Sequence, residues 1–388
     1  MTFRLLNFLL FILLSSLTHV GMAQSCLSEG LYLNDQSQTL NFASDYPDCT
    51  TIDGNIYIQG VSNFEGMEQI TQINGTIICN ECGGFTSFEG LNNVITVGGI
   101  SIDEGSSFSF EGLDNLNFVT NNIDLDEASF EDFTGLESLI TIGGYLEINE
   151  NGPNNLNGLQ SLISIGGNLR ITESSITSLE GMSSLSSIGG TLEVSDCTLI
   201  PSLSDLEPIG FVLGGLTIDD CDLLIDLSGI DNIGSLQGEI RIEGNALLND
   251  ISAIANFNSD GFTYLEIDFN PMLSACSVAS VCGHLLSNGE NLISDNLENC
   301  NSAEEVLSFC SVNLDEVSIT DQIRVLQDEI FITGEALNNP LVIYTTTGQI
   351  VRYYEQAPSY LWIEDLPSGI YVINLPDQPG KHLRFVHP

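Results

Sequence analysis

Two apolar residues separated by one other recur along the chain, at Ile56/Ile58, Ile77/Cys79, Ile100/Ile102, Ile123/Leu125, Leu146/Ile148, Leu169/Ile171, Leu192/Val194, Leu216/Ile218, Ile240/Ile242 and Leu265/Ile267. A period of two marks a short β-strand with one face buried. The rest of each unit carries apolar residues at every third position, as at Ile176, Leu179, Met182, Leu185 and Ile188, and then a Gly-Gly pair that is expected to permit a tight return turn. The unit is about 23 residues long: GGYLEINENGPNNLNGLQSLISI from Gly143 is followed by GGNLRITESSITSLEGMSSLSSI from Gly166 and GGTLEVSDCTLIPSLSDLEPIGFV from Gly189. Such a period predicts a repeat stack. One short strand per unit cannot bury its own face, so units must pile strand beside strand. The expected fold is mainly β, a right-handed parallel β-solenoid.

Three residues after the second apolar position stand Gly105, Ala128, Asn151, Ser174, Cys197, Cys221, Asn245 and Asn270, with Cys82 upstream. Small or amide-bearing residues there let the chain turn inward, and an amide can satisfy buried backbone groups. The outward strand positions form two rows. One runs Tyr57, Ile78, Ser101, Asp124, Glu147, Arg170, Glu193, Thr217, Arg241, Glu266, and the other Gln59, Asn80, Asp103, Asp126, Asn149, Thr172, Ser195, Asp219, Glu243, Asp268. These rows make an acidic, polar face, suited either to keeping a stack soluble or to meeting cations or a basic partner. Glu147, Arg170 and Glu193 are expected as neighbours in successive units, a ladder worth roughly 0.2–1 kcal/mol per pair.

Charge sharpens the picture. The formal net charge is −46, with seven Lys and Arg in 388 residues. One of the seven precedes residue 24 and four follow residue 320, which leaves Arg170 and Arg241 for the repeats. Nucleic acid, which needs a basic footprint, is excluded as a partner, and anionic membrane surfaces are disfavoured. Arg4, the apolar run Leu5 to Leu17 and the site Gly21-Met22-Ala23 read as a secretory signal peptide over residues 1–23, cut before Gln24. No later window has the roughly 18 apolar residues of a transmembrane segment. All ten cysteines follow the cleavage site, so disulfides are expected in an oxidising compartment.

The pattern L-x-I-x-x-N/C resembles the leucine-rich repeat, and the ending L-x-x-L-x-x-I-G-G resembles the receptor L-domain of the insulin and epidermal-growth-factor receptors and its bacterial surface relatives. The resemblance covers residues 51–275 and implies interaction with proteins rather than catalysis. Residues 24–50 then read as an N-terminal cap in which Cys26 and Cys49 staple the end. Residues 276–310 resemble the cysteine-rich C-terminal caps of extracellular leucine-rich repeat proteins; by that analogy Cys276 joins Cys300 and Cys282 joins Cys310. Ser302 followed by Glu305 signals a short helix. Cys79-x-x-Cys82 reads as core thiols or a local disulfide rather than a zinc or redox motif, since zinc needs more ligands. Cys197 and Cys221 share a ladder position about 4.8 Å apart, which fits a disulfide or two stacked thiols equally.

From residue 311 the repeat stops. The runs FITG, LVIYTTTGQIV and IYVINL, with turns at Gly348 and Gly369, predict a small antiparallel β-sandwich over 311–388. LVIYTTTGQIVR followed by EDLPSGIYVINL and GKHLRF resembles the C-terminal sorting domain of the type IX secretion system of Bacteroidetes, the matching positions being Gly348, Leu366, Pro367, Gly369, Tyr371 and Lys381. The Pro-Asn-Pro opening of that family is missing, and the chain ends in His387-Pro388. The resemblance implies export across the outer membrane by the type IX machinery to the cell surface or medium.

The function expected is a non-enzymatic cell-surface or secreted binding or adhesion module for a protein or glycan. The alternatives are a structural spacer or, further off, a β-helix polysaccharide-active enzyme. Outside the signal segment histidine occurs only at 284, 382 and 387, so His triads and His-based zinc sites are lost from the repeats. No catalytic residue is expected. The candidate binding residues are Asp103, Asp124, Asp126, Glu147, Asp219 and Glu243. Calcium is the one cation entertained, where neighbouring units bring Asp103, Asp126 and Asp124, or Asp219 and Glu243, together.

Overall fold

The computed structural model describes residues 24–310, Ser235 excepted, and the C-terminal stretches 323–326, 329–332, 340–345, 350–356, 358–363, 366–367, 369–374 and 382–387. The expected signal peptide, Gly348 and Lys381 lie outside the described residues. The fold is mainly β, with parallel strands in the repeats and antiparallel strands after them, compatible with a solenoid followed by a sandwich. No helix among the described residues is long and apolar enough to cross a membrane. The described residues fall into two units, up to Leu162 and from Ile163.

In the first unit the alternating segments become strands, Ile56–Ile58, Gln72–Asn80, Thr96–Asp103, Ile123–Asp126 and Leu146–Asn151. They pair in parallel with Ile56 beside Ile77, Ile77 beside Ile100, Ile100 beside Ile123 and Ile123 beside Leu146. These inward residues are all buried. A further strand, Leu31–Leu33, sets Leu31 beside Ile56, so the stack starts inside the segment expected to be only a cap. Each unit also carries a second strand column, which pattern reading did not resolve: Cys49–Ile52, the start of Gln72–Asn80, the start of Thr96–Asp103, Phe118–Val119 and Thr141–Ile142. Its two-residue pairings are too short for alternation to register.

Between the two columns the first unit fills its interior with phenylalanines. Phe64, Phe88, Phe110 and Phe133 stack one above another, with centroids 6.0, 5.7 and 5.3 Å apart. Phe85, Phe108 and Phe130 pack edge-on or tilted beside them. Offset or edge contacts of this kind add about 0.5–1.5 kcal/mol per pair beyond area burial. Two residues after each stacked ring sits a glycine with positive φ, as at Gly112 (φ +102°), where a Cβ would collide with the Phe88 carbonyl. The Gly-Gly pairs answer to space. Gly143 has no positive φ; a side chain there would strike the Thr120 carbonyl, so it is close approach, and not left-handed backbone, that demands glycine.

The second unit continues the pattern through Leu169–Ser174, Leu192–Ser195, Leu216–Asp219, Gly238–Glu243 and Phe262–Asp268, with Leu169, Leu192, Leu216, Ile240 and Leu265 in register. The segment expected to be only a C-terminal cap adds one more parallel strand, Asn291–Ser294 beside Leu265–Asp268. Around it lie helices Ala279–Leu286 and Ala303–Cys310. Disulfides join Cys276 to Cys300 and Cys282 to Cys310, and in the first unit Cys26 to Cys49 and Cys79 to Cys82. The Ser302 hydroxyl accepts from the Glu305 N–H, while the Glu305 carboxylate accepts from the N–H groups of Asn299 and Asn301. That is half a capping box, the other half being redirected to the preceding loop.

The C-terminal strands form two antiparallel sheets, Ile323–Leu326, Glu329–Ile332 and Tyr360–Trp362 in one, Leu341–Thr345, Ile350–Tyr354, Gly369–Asn374 and His382–His387 in the other. Ile330, Leu341, Ile343, Leu361, Ile363, Leu366, Tyr371 and Ile373 form their shared core. Leu366 and Tyr371, both drawn from the sorting-domain resemblance, are thus core residues, and the Tyr371 hydroxyl donates to the Pro367 carbonyl at 2.6 Å.

The inward-turn ladder does chemical work in the second unit. The Asn270 side-chain amide donates to the carbonyls of Ile242 (2.9 Å) and Asp268 (2.7 Å), and its Oδ1 accepts from the Asn245 N–H (3.1 Å). Asn245 repeats this one strand earlier and Asn296 one strand later. Cys197 and Cys221 are free, buried thiols that stand in for the amide: Cys197 Sγ lies 3.4 Å from the Ile171 carbonyl and Cys221 Sγ 3.6 Å from that of Val194. Burial pushes the Cys197 thiol up to about 11 and raises Cys221 as well, which leaves both inert at neutral pH. Replacing Asn270 by Ala strands three buried backbone groups; at about 1–3 kcal/mol each, Asn270→Ala is expected to cost roughly 3 kcal/mol or more in denaturant unfolding, against less than about 0.5 kcal/mol for Thr217→Ala on the outward face.

Candidate functional site

Because one side of every strand is spent on the core, the other presents its side chains as columns set by the register. In the first unit Asp103 stands beside Asp126, and Asp126 beside Asn149; Ser101 stands beside Asp124, and Asp124 beside Glu147. Asp103, Asp124, Asp126 and Glu147 are all half-buried. Asp126 accepts from the Asn149 amide at 2.6 Å, and Asp124 from the Tyr145 hydroxyl at 3.1 Å. Asp124 and Asp126 point the same way but sit two residues apart on one strand, roughly 7 Å. The expected convergence of Asp103, Asp124 and Asp126 on one cation is therefore not formed. At the start of the row Tyr32 and Tyr57 stack face to face, with centroids 4.4 Å apart.

A third acidic column was missed. Glu81, Glu104, Glu127 and Glu150 adopt left-handed backbone, with φ of 51°, 52°, 46° and 52°. Each directly precedes the inward-turn position, and the N–H groups of Glu81, Glu104 and Glu127 donate to the carbonyls of Asp103, Asp126 and Asn149 at 3.0–3.1 Å. Left-handed backbone costs a non-glycine residue roughly 1–2 kcal/mol; the ladder hydrogen bond offsets it. Glu81 and Glu127 raise the Glu104 carboxyl above its ordinary range, each carboxylate disfavouring charge on its neighbour. Its signal was present in the sequence as acids 23 residues apart, Glu81, Glu104, Glu127, Glu150 and Glu173, but it lies outside the strands where outward positions were counted.

In the second unit the left-handed position is held by Glu173, Asp196, Asp220, Gly244, Phe269 and Asp295, so the acidic column is interrupted there. The strand face carries the basic residues. Arg170 Nε lies 3.0 Å from Glu193 Oε2, and Arg241 bridges Glu243 (3.1 Å) and Glu266 (2.9 Å). Of the expected Glu147–Arg170–Glu193 ladder this is the part within one unit. Asp219, Glu243 and Asp268 follow one another in register. Among the described residues, one set of three metal-ligating side chains converges, Glu243, Glu266 and Asp268, with an oxygen of each within 4.8 Å of the others. Glu243 was among the candidates; Glu266 and Asp268 were placed in the outward rows without being singled out.

Burial, then repulsion from Glu243 and Asp220, raises the Asp219 carboxyl to about 6; burial, then Glu243 and Glu266, raises Asp268 to about 6, with Arg241 opposing in both cases. In the unfolded chain both revert to an ordinary value near 3.8, so the native state holds protons that the unfolded state has released. A raised folded value contributes stability below about pH 4 that is lost as pH rises through about 6. Asp35 in the first unit, held low by hydrogen bonds from the Ser37 side chain and N–H, acts in the opposite sense. Thermal melts are expected to show the midpoint falling between about pH 4.5 and pH 7, with Asp219→Asn and Asp268→Asn raising the midpoint at pH 7 and flattening that slope. An unchanged slope in both variants would contradict the assignment.

Comparison of the chain with protein-family models, with curated proteins and with solved structures finds no match.

Proposed function

We propose that this chain is a non-enzymatic binding or adhesion module of the cell surface or medium, built as a right-handed parallel β-solenoid with coils of about 23 residues and exported by a type IX secretion system. The observation that carries the reading is the columnar array of carboxylates on the first unit's outward face, Asp103, Asp124, Asp126 and Glu147 flanked by the turn column Glu81, Glu104, Glu127 and Glu150. A regular acidic lattice at strand spacing complements a cationic surface, and complementarity of this kind steers association and selects partners. A protein or glycan bearing basic groups is the partner class it fits. The stacked Tyr32–Tyr57 pair, with Tyr32 half exposed, adds an apolar contact at one end. The two-sheet C-terminal region, with Leu366, Pro367 and Tyr371 in or beside its core, supports its reading as a sorting domain that is read by the export machinery.

Two experiments test the reading. On glycan and protein arrays the exported chain is expected to bind saturably, and the triple variant Asp124→Lys, Asp126→Lys, Glu147→Lys to lose at least about tenfold in affinity, equivalent to about 1.4 kcal/mol. Turnover of a polysaccharide, or binding indifferent to the charge reversal, would overturn it, and no binding at all would favour a structural spacer. Deleting residues 311–388 is expected to leave the protein in the periplasm of its host; normal surface display of that truncation would remove the export reading.

A further inference from the structure

The second unit contains an acceptor with nothing to accept from. Asp268 is 3% exposed, and its Oδ1 is inaccessible to solvent and without a hydrogen-bond partner. A buried polar atom left in this state costs about 1–3 kcal/mol, and more when charged. The atom belongs to the side chain that completes the converging carboxylate set. Glu243 and Asp268 are register partners on adjacent strands, and Glu266 lies two residues before Asp268 beside Arg241. Glu266 is itself 6% exposed. Arg241 occupies one oxygen each of Glu243 and Glu266. Three carboxylates against one guanidinium leave two negative charges, the charge that one divalent cation neutralises.

The donor set selects the cation. It holds oxygen alone, with no histidine or cysteine, which calls for a hard ion. The oxygens all lie within 4.8 Å of one another. Two ligands on opposite sides of a calcium ion, bound at about 2.3–2.6 Å, lie up to about 5 Å apart, whereas magnesium at about 2.0–2.1 Å holds opposite oxygens near 4.2 Å and demands a regular octahedron. Carboxylates fixed on paired strands, with an arginine holding two of them, suit calcium's flexible shell better than magnesium's regular octahedron. We propose that Glu243, Glu266 and Asp268 bind one calcium ion, with water filling the remaining coordination and Arg241 retained on the outer oxygens of the two glutamates. The site belongs to the second unit and does not depend on the partner-binding reading.

The test is titration calorimetry of the full exported chain with calcium chloride in about 0.15 M sodium chloride at neutral pH, alongside melting midpoints at fixed ionic strength. The expected result is one saturable site, a midpoint raised by calcium and not by equal magnesium, and loss of both effects in Asp268→Asn and Glu266→Gln. Glu243→Gln, on the more exposed ligand, is expected to weaken binding at least about tenfold and keeps the test decisive if Glu266→Gln, which also breaks the Arg241 pair, fails to fold. Saturable binding unchanged in Glu243→Gln and Asp268→Asn would place the ion elsewhere among the acids and overturn the proposal, as would the absence of any saturable binding.

Discussion

The backbone hydrogen bonds that tie each strand to the strand one repeat later are the interaction on which this molecule depends. They hold adjacent strands about 4.8 Å apart, and in doing so fix the fate of every side chain. Alternate residues go inward to each unit's apolar interior, where burial stabilises by about 1.5–3 kcal/mol per large aliphatic side chain, and the rest are held outward in columns. The same spacing brings consecutive phenylalanines of the first unit into stacked contact and leaves room above Gly112 and Gly143 for bare backbone alone. Where the chain turns inward after each strand, its polar groups need partners. Asn245, Asn270 and Asn296 supply them, and Cys197 and Cys221 do the same less strongly.

The parallel stack was legible because its signal is strong and local. Pairs such as Leu146/Ile148 and Leu192/Val194 mark both the strand and its buried face, and they register as expected within each unit. What escaped was whatever broke the motif or was too short to show it. The Asn291–Ser294 strand begins with an exposed Asn where earlier strands have Leu or Ile, and it lies 26 residues after its partner Leu265 where Leu192 lies 23 after Leu169. The second strand column has pairings of two residues, such as Thr141–Ile142 beside Phe118–Val119. The Gly-Gly pairs were read as tight-turn residues, and the need there is space; the left-handed backbone went to glutamates in the first unit, which no propensity argument favours.

The candidate site was legible as composition and only in part as geometry. Outward acids could be named in advance, and Asp219 and Glu243 do meet in register. Convergence depends on side-chain reach across strands and on what Arg241 neutralises, neither of which spacing encodes. So Asp103, Asp124 and Asp126 stay spread while Glu243, Glu266 and Asp268 close together. The two faces are consequently different in kind. The first unit displays an open lattice of half-buried carboxylates, and the second sinks its acids, pairs some with arginine and raises the proton affinity of Asp219 and Asp268. An open lattice suits a partner that arrives in solution; a sunken cluster suits an ion.

All of this follows from register, and register can be measured directly. Ser101 and Asp124 are parallel neighbours, and Glu147 lies one strand beyond Asp124. The cysteines at 26, 49, 79 and 82 in that unit are already paired. Neighbouring positions about 4.8 Å apart fall within the Cα range of a disulfide, and positions two strands apart, near 9.6 Å, do not. Under mild oxidation the double variant Ser101→Cys, Asp124→Cys is therefore predicted to cross-link fully within the chain, and Ser101→Cys, Glu147→Cys to stay reduced. Failure of the first pair, or closure of the second, would contradict the register and with it the columns on which the functional reading stands.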